Sequence, residues 1–383
     1  MKKNIALALV GFMLVPLAAC SSVPSSSGTH GSEPQTSGSA PALITVVEPY
    51  AAPSPGGAGE ALNAVGIKYG FYKNAGVTTK LEYANGSTAA IQAVASGTGD
   101  ITPAELGSAM QAYASGVPVK VIGSTVINWP WKMATLSNSD IKKPADLKGK
   151  KIGVISLASG SYAYTKSFLK TAGLSEKDVQ IIAVGTGPSA ADAIKNGKID
   201  VLALYDRVYS QLLGSDPGLS FDYMPNPAMF DSVVSLAFVV PKDKLASAER
   251  TKALKAYMKA YIETIIFAAV NPKATALASF ETNPDFLTGT TSAKVMPIAA
   301  ESITAYIKTA APKTGTPESW GSYVWGTMTD EQWTATADYQ IDTGTITKAV
   351  KKSDLWDGSF LKDANNFDIN KVIKTAKAAP QEP

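Results

Sequence analysis

Thiols and imidazoles are nearly absent from this sequence. Its 383 residues hold one cysteine, Cys20, and one histidine, His30. A single cysteine cannot close a disulfide within the chain. No zinc site of His/Cys type can be assembled from the pair. His30 lies in a stretch rich in Ser, Gly and Pro, so a Ser–His–Asp triad or a Cys–His pair is excluded from any folded body. An enzyme would have to work with carboxylates, lysine or tyrosine. A large excess of one charge sign is missing too, with 35 Lys and Arg against 32 Asp and Glu. Two of the formal charges making up the net +3 sit on Lys2 and Lys3, and the remainder is nearly neutral. There is no basic stripe and no acidic tail, so nucleic-acid binding has no electrostatic footprint. Arginine is limited to Arg207 and Arg250. No loop matches a phosphate-binding glycine pattern. Neither a cofactor nor a metal is expected.

The N-terminus carries the first positive signal. Lys2 and Lys3 precede an apolar run from Ile5 to Ala19, broken only by Gly11 and Pro16. That run is shorter than the roughly 20 residues a spanning helix needs, and it fits the apolar region of a secretory signal. It ends in Leu17-Ala18-Ala19-Cys20, which resembles the lipobox of bacterial lipoproteins. The resemblance implies a diacylglyceryl group on the Cys20 thiol and cleavage just before it. A single acyl chain anchors only marginally, so two matter. The expectation is a signal peptide over 1–19, then a lipidated cysteine and flexible linker over 20–42. Ser, Gly and Pro dominate residues 21–41, which suits a tether. The body would then face outward, held to the cell membrane by its lipid.

Two domains are the natural expectation for the rest, at about 100–200 residues each. The body alternates strand and helix signals. Leu43–Val47, Thr79–Tyr83, Val119–Ile122, Lys151–Ile155, Val179–Val184, Val201–Leu204 and Ser235–Val240 read as strands. Ala61–Lys73, Ser87–Ser96 and Ser161–Ala172 read as helices, with Gly97 as a stop. Such alternation argues for an α/β fold with mostly parallel sheets. The segment from Gly86 through Gly97 to Asp100 is echoed from Gly187 through Gly197 to Asp200. Any βαβ junction could look alike, but the same element occurs twice. From Ala246 the chain turns mainly helical. Leu254, Tyr257, Met258, Tyr261, Ile262, Ile265 and Ile266 form one apolar stripe read as core. Asn271-Pro272 ends that helix.

Several residues are placed to carry function. Gly86-Ser87-Thr88 opens a helix after a strand, where Ser87 or Thr88 can cap and free N–H groups favour an anion. Ser159, Ser161 and Tyr162 open another in the same way. Ligands in open α/β sheets bind beyond the carboxyl ends of strands. Trp129-Pro130-Trp131 offers either a ligand wall or ordinary packing. Tyr205, Asp206 and Arg207 follow an apolar strand. Arg207 could clamp an acid with two parallel hydrogen bonds, or lie on a helix surface.

Read together, these segments resemble a known family. Gly86-Ser-Thr-Ala-Ala-Ile-Gln-Ala-Val-Ala-Ser-Gly to Asp100, Gly116-Val-Pro-Val-Lys120, Asp146-Leu-Lys-Gly-Lys-Lys-Ile-Gly-Val154 and Ala193-Ile-Lys-Asn-Gly-Lys-Ile-Asp200 are similar to ABC-transporter solute-binding proteins for nitrate, taurine, alkanesulfonates and thiamine-pyrimidine precursors. The likeness runs over about residues 43–345. It implies a two-lobed type II periplasmic-binding-protein fold with two hinge crossings, near Trp131–Ser137 and Val234–Val239, and a helical C-terminal region. Lobe I would take residues 43–135, lobe II 136–236, and the return to lobe I 237–383. The family's ligand contacts map onto Ala52 and Ser54, Ser87 and Thr88, Thr102 to Glu105, Ser159 to Tyr162, and Tyr205 and Asp206. The first of these loops is unusually rich in Pro and Gly. Some relatives build thiamine pyrimidine with an active-site histidine, which this body lacks.

The expected function is capture of a small acidic organic ligand and its delivery to the permease and ATPase subunits of an ABC importer, without catalysis. The alternative is a sensor of the same fold that signals ligand occupancy to a membrane partner. A third reading, an enzyme using Asp206, Glu105 or Tyr205, predicts product release on incubation with ligand.

Overall fold

The computed structural model describes residues 43–52, 57–157, 159–287 and 291–382. The expected signal peptide, Cys20, the linker and Ser54 lie outside them. The first lobe begins with β1 (Ile44–Tyr50), α1 (Ala58–Lys68), α2 (Phe71–Ala75), β2 (Val77–Tyr83), α3 (Gly86–Ala95), β3 (Thr102–Glu105), α4 (Leu106–Ala114) and β4 (Val119–Val126). The chain then passes to a second sheet through β5 (Trp131–Leu136). There follow β6 (Lys151–Val154), α5 (Gly160–Thr171), β7 (Gln180–Ala183), α6 (Pro188–Lys195), β8 (Val201–Tyr205), α7 (Asp206–Ser215) and β9 (Phe221–Tyr223). It returns through β10 (Leu236–Pro241) to α8 (Ala248–Val270), α9 (Pro272–Thr282), α10 (Ser292–Ala310), α11 (Asp330–Asp342), α12 (Lys352–Leu355), α13 (Leu361–Ala364) and α14 (Ile369–Ala378). No helix among the described residues is long and apolar enough to cross a membrane.

The two lobes share one plan. In the first, β1 pairs with β2 in parallel, and β10 runs antiparallel between β3 and β4. In the second the order is β7-β6-β8-β5-β9, with β5 antiparallel between β8 and β9. Each lobe's antiparallel strand is the one that has just arrived from the other lobe. The crossings therefore fall at residues 127–130 and 224–235. The first lies ahead of the expected Trp131–Ser137, because Trp131 is already paired with Tyr205 in the second sheet. The second lies ahead of Val234–Val239, most of which is β10. The crossings are tied together where Ser235 N–H donates to the Val126 carbonyl at 3.0 Å.

The repeated sequence element is a repeated structural joint. Gly97 (φ 85°) and Gly197 (φ 66°) turn the chain in the left-handed region that glycine favours. Three residues later, Asp100 accepts the Val47 N–H at 2.8 Å and donates its own N–H to the Val47 carbonyl at 2.7 Å. Asp200 does the same to Lys151, at 2.8 Å in both directions. Each aspartate clasps the first parallel strand of its lobe. In the first lobe this clasp joins the β1–β2 pair to the strand leading into β3.

Two sequence expectations are corrected. The helix expected over Ala61–Lys73 is two helices, because Gly70 adopts φ 74° between α1 and α2. Thr102–Glu105, expected as a loop, is strand β3. Pro103 lacks an N–H, and it is tolerated because β3 is an edge of its sheet, paired only with β10. The helix from Ala248 does end at Val270, and Asn271 caps the next one by accepting the Ala274 N–H at 2.9 Å. Apolar side chains pack on both faces of the strands in each lobe. The largest cluster packs α8 against α1, α2, α9, α10 and α14. A second joins α3, α4 and α11 on the other face of lobe I, and two more flank the lobe II sheet.

Candidate functional site: the cleft between the lobes

A cleft opens at the carboxyl ends of strands from both lobes. It has two connected parts, with cavity volumes of about 610 and 560 Å³, that share Ala51, Ser87, Glu105, Trp131, Tyr205 and Ser235. One part runs towards Arg207 and the phenols of Tyr50, Tyr261 and Tyr306. The other runs towards Thr88, Trp129 and Ser159.

Strand pairing places the central wall. Trp131 and Tyr205 are partners at the ends of β5 and β8. Their rings meet edge to face, with centroids 5.4 Å apart at 85°. One step on, the Asp206 N–H donates to the Pro130 carbonyl at 2.9 Å. This anchors the start of α7, whose second residue is Arg207. The Arg207 guanidinium is 5.6 Å from the Tyr205 ring centroid, and its Nη2 donates to the Tyr205 hydroxyl at 3.0 Å. Burial works to lower the Arg207 pKa, but the neighbouring Tyr205 and Tyr50 phenols outweigh it and the group is held above its ordinary value. Arg207 is therefore a permanent cation facing the cleft.

The opposite wall is phenolic. Tyr50 ends β1, and its ring packs edge to face on Tyr83 with centroids 6.1 Å apart. Two glycines at the end of the first loop, Gly57 and Gly59, now have a reason. A Cβ on Gly57 would fall 1.8 Å from the Tyr50 hydroxyl, and one on Gly59 would fall 2.8 Å from Tyr50 Cε2. The Tyr261 and Tyr306 hydroxyls lie 3.2 Å apart. Burial pushes the Tyr50, Tyr261 and Tyr306 phenols up, so they stay protonated as donors.

Two carboxyls also face the cleft. Glu105 is water-accessible at the end of β3 but lies deep between the lobes, and that burial raises its pKa. Burial likewise raises Asp206, against the pull of Lys132 and Lys308. Among the described residues, no group of three or more His, Cys, Asp or Glu side chains is placed to hold a metal.

The candidate residues sort clearly by place. Ala52, Ser87, Thr88, Glu105, Trp129, Trp131, Ser159, Tyr205, Asp206 and Arg207 line the cleft. Trp131 borders both parts. Trp129 shows one edge to the cleft but is otherwise core, stacked on Phe230 at 4.9 Å. Ser87 is not the cap of α3, whose N-cap is Asn85; its hydroxyl instead accepts the Glu105 N–H at 3.0 Å. Three candidates do not line the cleft. Thr102 is buried in β3 and donates to the Pro49 carbonyl at 2.6 Å. Ser161 turns back into lobe II and accepts the Ile155 N–H at 2.9 Å. Tyr162 points along the outer surface, where it bonds Glu176 and stacks under Lys166. The sequence reading missed Tyr50, Tyr306 and Gln211, and it assigned Tyr261 to the core stripe. Tyr261 is indeed buried, but its position one turn beyond Tyr257 brings it to the cleft floor.

Known proteins share this architecture. A Haemophilus influenzae protein assigned provisionally to thiamine biosynthesis is 33% identical over 92 residues, which is 24% of this chain and 28% of that protein's length. The alkanesulfonate-binding protein SsuA of Xanthomonas axonopodis pv. citri, solved with MOPS, superposes with a TM-score of 0.56 at 16% identity, covering 84% of this chain and 100% of that one. The periplasmic aliphatic sulphonate binding protein SsuA of Escherichia coli gives 0.57 at 16% identity, covering 83% and 94%. The fold is thus the two-lobed type II periplasmic-binding-protein fold, with a helical C-terminal region. The sequence signature described as NMT1/THI5 like matches residues 63–275, more than half of the 383-residue chain, and the protein belongs to that NMT1/THI5-like family.

Proposed function

We propose that this protein is a solute-binding receptor that captures a small organic acid in the interlobe cleft and delivers it to an ABC importer. The observation that carries this reading is Arg207, a half-buried cation at the junction of the cleft and the phenolic wall. A guanidinium fork matches a carboxylate or sulfonate with parallel charge-assisted hydrogen bonds. The Tyr50 and Tyr306 hydroxyls beside it add neutral donors. Trp131 and Tyr205 offer faces for the carbon skeleton. Two structural neighbours are named for sulfonate binding, and one was solved with a sulfonic acid; this supports an anionic group on the ligand.

The protein would act as a carrier, not a catalyst. Closure of the two lobes on the ligand would present the surface read by the permease. The N-terminal sequence supports an extracytoplasmic location with a lipid on Cys20. Replacing Cys20 with Ala should then release the protein from membranes with its ligand affinity unchanged.

A thermal-shift screen of the purified protein against sulfonates, carboxylates, aromatic acids and pyrimidines tests the reading. Stabilisation by an acid, lost in Arg207→Ala, is expected. Stabilisation only by neutral pyrimidines, or by nothing, would sink it.

A further inference from the structure

Arg207 answers an anion, yet the same cleft holds a carboxyl, that of Glu105, with no partner among the described residues. Glu105 lines both parts of the cleft. Its backbone N–H is taken by Ser87, but among the described residues its carboxyl has no hydrogen-bond or ion-pair partner. The side chain reaches from lobe I towards lobe II. Its Oε1 lies 3.3 Å from the point where a Cβ on Gly160 would stand, and Trp131 Cζ2 lies 2.8 Å from that same point. The carboxyl therefore sits beside the indole edge, at the end of the cleft shared by both cavities. Among the described residues the Asp206 carboxyl also accepts no hydrogen bond, although Lys132 and Lys308 are near it.

A ligand carrying only negative charge would meet Arg207 at one end but Glu105 at the other, with Asp206 offset by Lys132 and Lys308. Like charges brought together in a desolvated site oppose binding. A ligand carrying a protonated amine as well as an acid resolves the conflict. An ammonium supplies three donors to a carboxylate, and the Trp131 and Tyr205 rings can attract its charge.

Resting on the solute-binding reading above, we propose that the ligand is an amino carboxylic acid whose carboxylate faces Arg207 and whose ammonium faces Glu105, with its carbon skeleton along Trp131 and Tyr205. The planar fork of Arg207 suits a carboxylate held by two hydrogen bonds. Burial raises the Glu105 pKa; an arriving ammonium would favour its charged form.

Matched pairs test this by isothermal titration of the purified protein. Phenylalanine is compared with phenylpropanoate, ε-aminocaproate with caproate, and para-(aminomethyl)benzoate with para-toluate. The amino member should bind about 10- to 100-fold more tightly in the pairs that bind, the range of a charge-assisted contact. Glu105→Gln should erase that preference while leaving the amine-free acid unchanged or tighter. Equal affinity within every binding pair overturns the proposal, as does a Glu105→Gln loss that falls equally on both members. In that case the acid-binding reading survives, provided Arg207→Ala still abolishes binding of the amine-free acid. Binding of no member of any pair overturns both. If Glu105→Gln does not fold, the pairs on the unaltered protein decide alone.

Discussion

The Arg207 Nη2 donates to the Tyr205 hydroxyl at 3.0 Å. Tyr205 closes a strand and Arg207 lies in the first turn of the helix after it, so the two residues share a cleft-facing corner. The phenol steers the guanidinium, and the strand pair of Tyr205 with Trp131 fixes the phenol.

That corner predicts a graded loss of affinity. Arg207→Ala removes charge-assisted hydrogen bonds of about 1.5–3 kcal/mol and should weaken an acid ligand on the order of 100-fold. Arg207→Lys keeps the charge but loses the fork, and should cost roughly tenfold. Tyr205→Phe removes only the steering hydroxyl, with a loss of about threefold, near the lower end for a neutral hydrogen bond. Titration calorimetry on the three variants checks the order. A Tyr205→Phe loss as large as that of Arg207→Ala would mean the phenol itself grips the ligand.

Gly160 predicts a loss of a different kind. A methyl there would stand 2.8 Å from Trp131 and 3.3 Å from Glu105 Oε1. Gly160 carries no positive φ, so alanine suits its helical backbone and the strain falls on the cleft. Gly160→Ala should leave the melting temperature close to that of the parent. Ligand affinity should fall by about tenfold or more as the indole and carboxyl are displaced, an energy of about 1.4 kcal/mol. Unchanged affinity would show that this end of the cleft is not occupied.

What was legible in the sequence, and what was not, has physical reasons. The joint at Asp100 and Asp200 was readable because a helix, a glycine stop and a clasping aspartate are all local. Tyr205 could be placed at the cleft because a strand end is where α/β sheets expose side chains; for Arg207 the sequence left a helix surface equally open, and only the packed α7 turns it to the cleft. The phenolic wall was not. Tyr50, Tyr261 and Tyr306 come from β1, α8 and α10, and a tyrosine on a core-facing stripe looks like any other buried aromatic. Thr102, Ser161 and Tyr162 share the cleft's neighbourhood in sequence, but their side chains turn to a neighbouring carbonyl, a neighbouring N–H and the outer surface. Position along a loop gives proximity; direction needs the packed backbone.

Glu48 should make stability fall as pH rises. It is buried on β1, bonded by the Tyr257 hydroxyl, and burial lifts its pKa to about 7 against the opposing pull of that hydrogen bond. In the unfolded chain the proton leaves near pH 4.5, the ordinary value. Between these values the folded state holds a proton that the unfolded state has lost, so the slope of stability with pH is negative. The full effect, roughly 3 kcal/mol at about 1.4 kcal/mol per pH unit, is spent by about pH 7. Glu263 is raised to about 7 as well and adds to the same window, so the comparison must be with a variant. Urea unfolding of Glu48→Gln at pH 5 and pH 8 should show a clearly smaller drop than the parent. Identical drops would mean that Glu48 is already ionised in the fold at pH 5.

The twin aspartates should differ in weight although they make the same backbone clasp. Asp100 is nearly buried, with its side chain 7% exposed, and it also pairs with Lys244 at 2.7 Å and Arg250 at 3.6 Å. Lys244 further donates to the Gly99 carbonyl at 2.8 Å. Asp200 holds the Lys151 N–H at 2.8 Å in a more exposed setting, where water can replace the lost acceptor. Asp100→Ala leaves the Val47 N–H and a half-buried cation without their partner, which should cost about 3 kcal/mol or more. Asp200→Ala should cost about 1 kcal/mol. Asp100→Asn keeps an acceptor for Val47 but not the charge, and should fall between. Denaturant melts of the three variants test the order. Equal losses for the two alanine variants would assign the whole effect to the backbone clasp and none to the Lys244 pair.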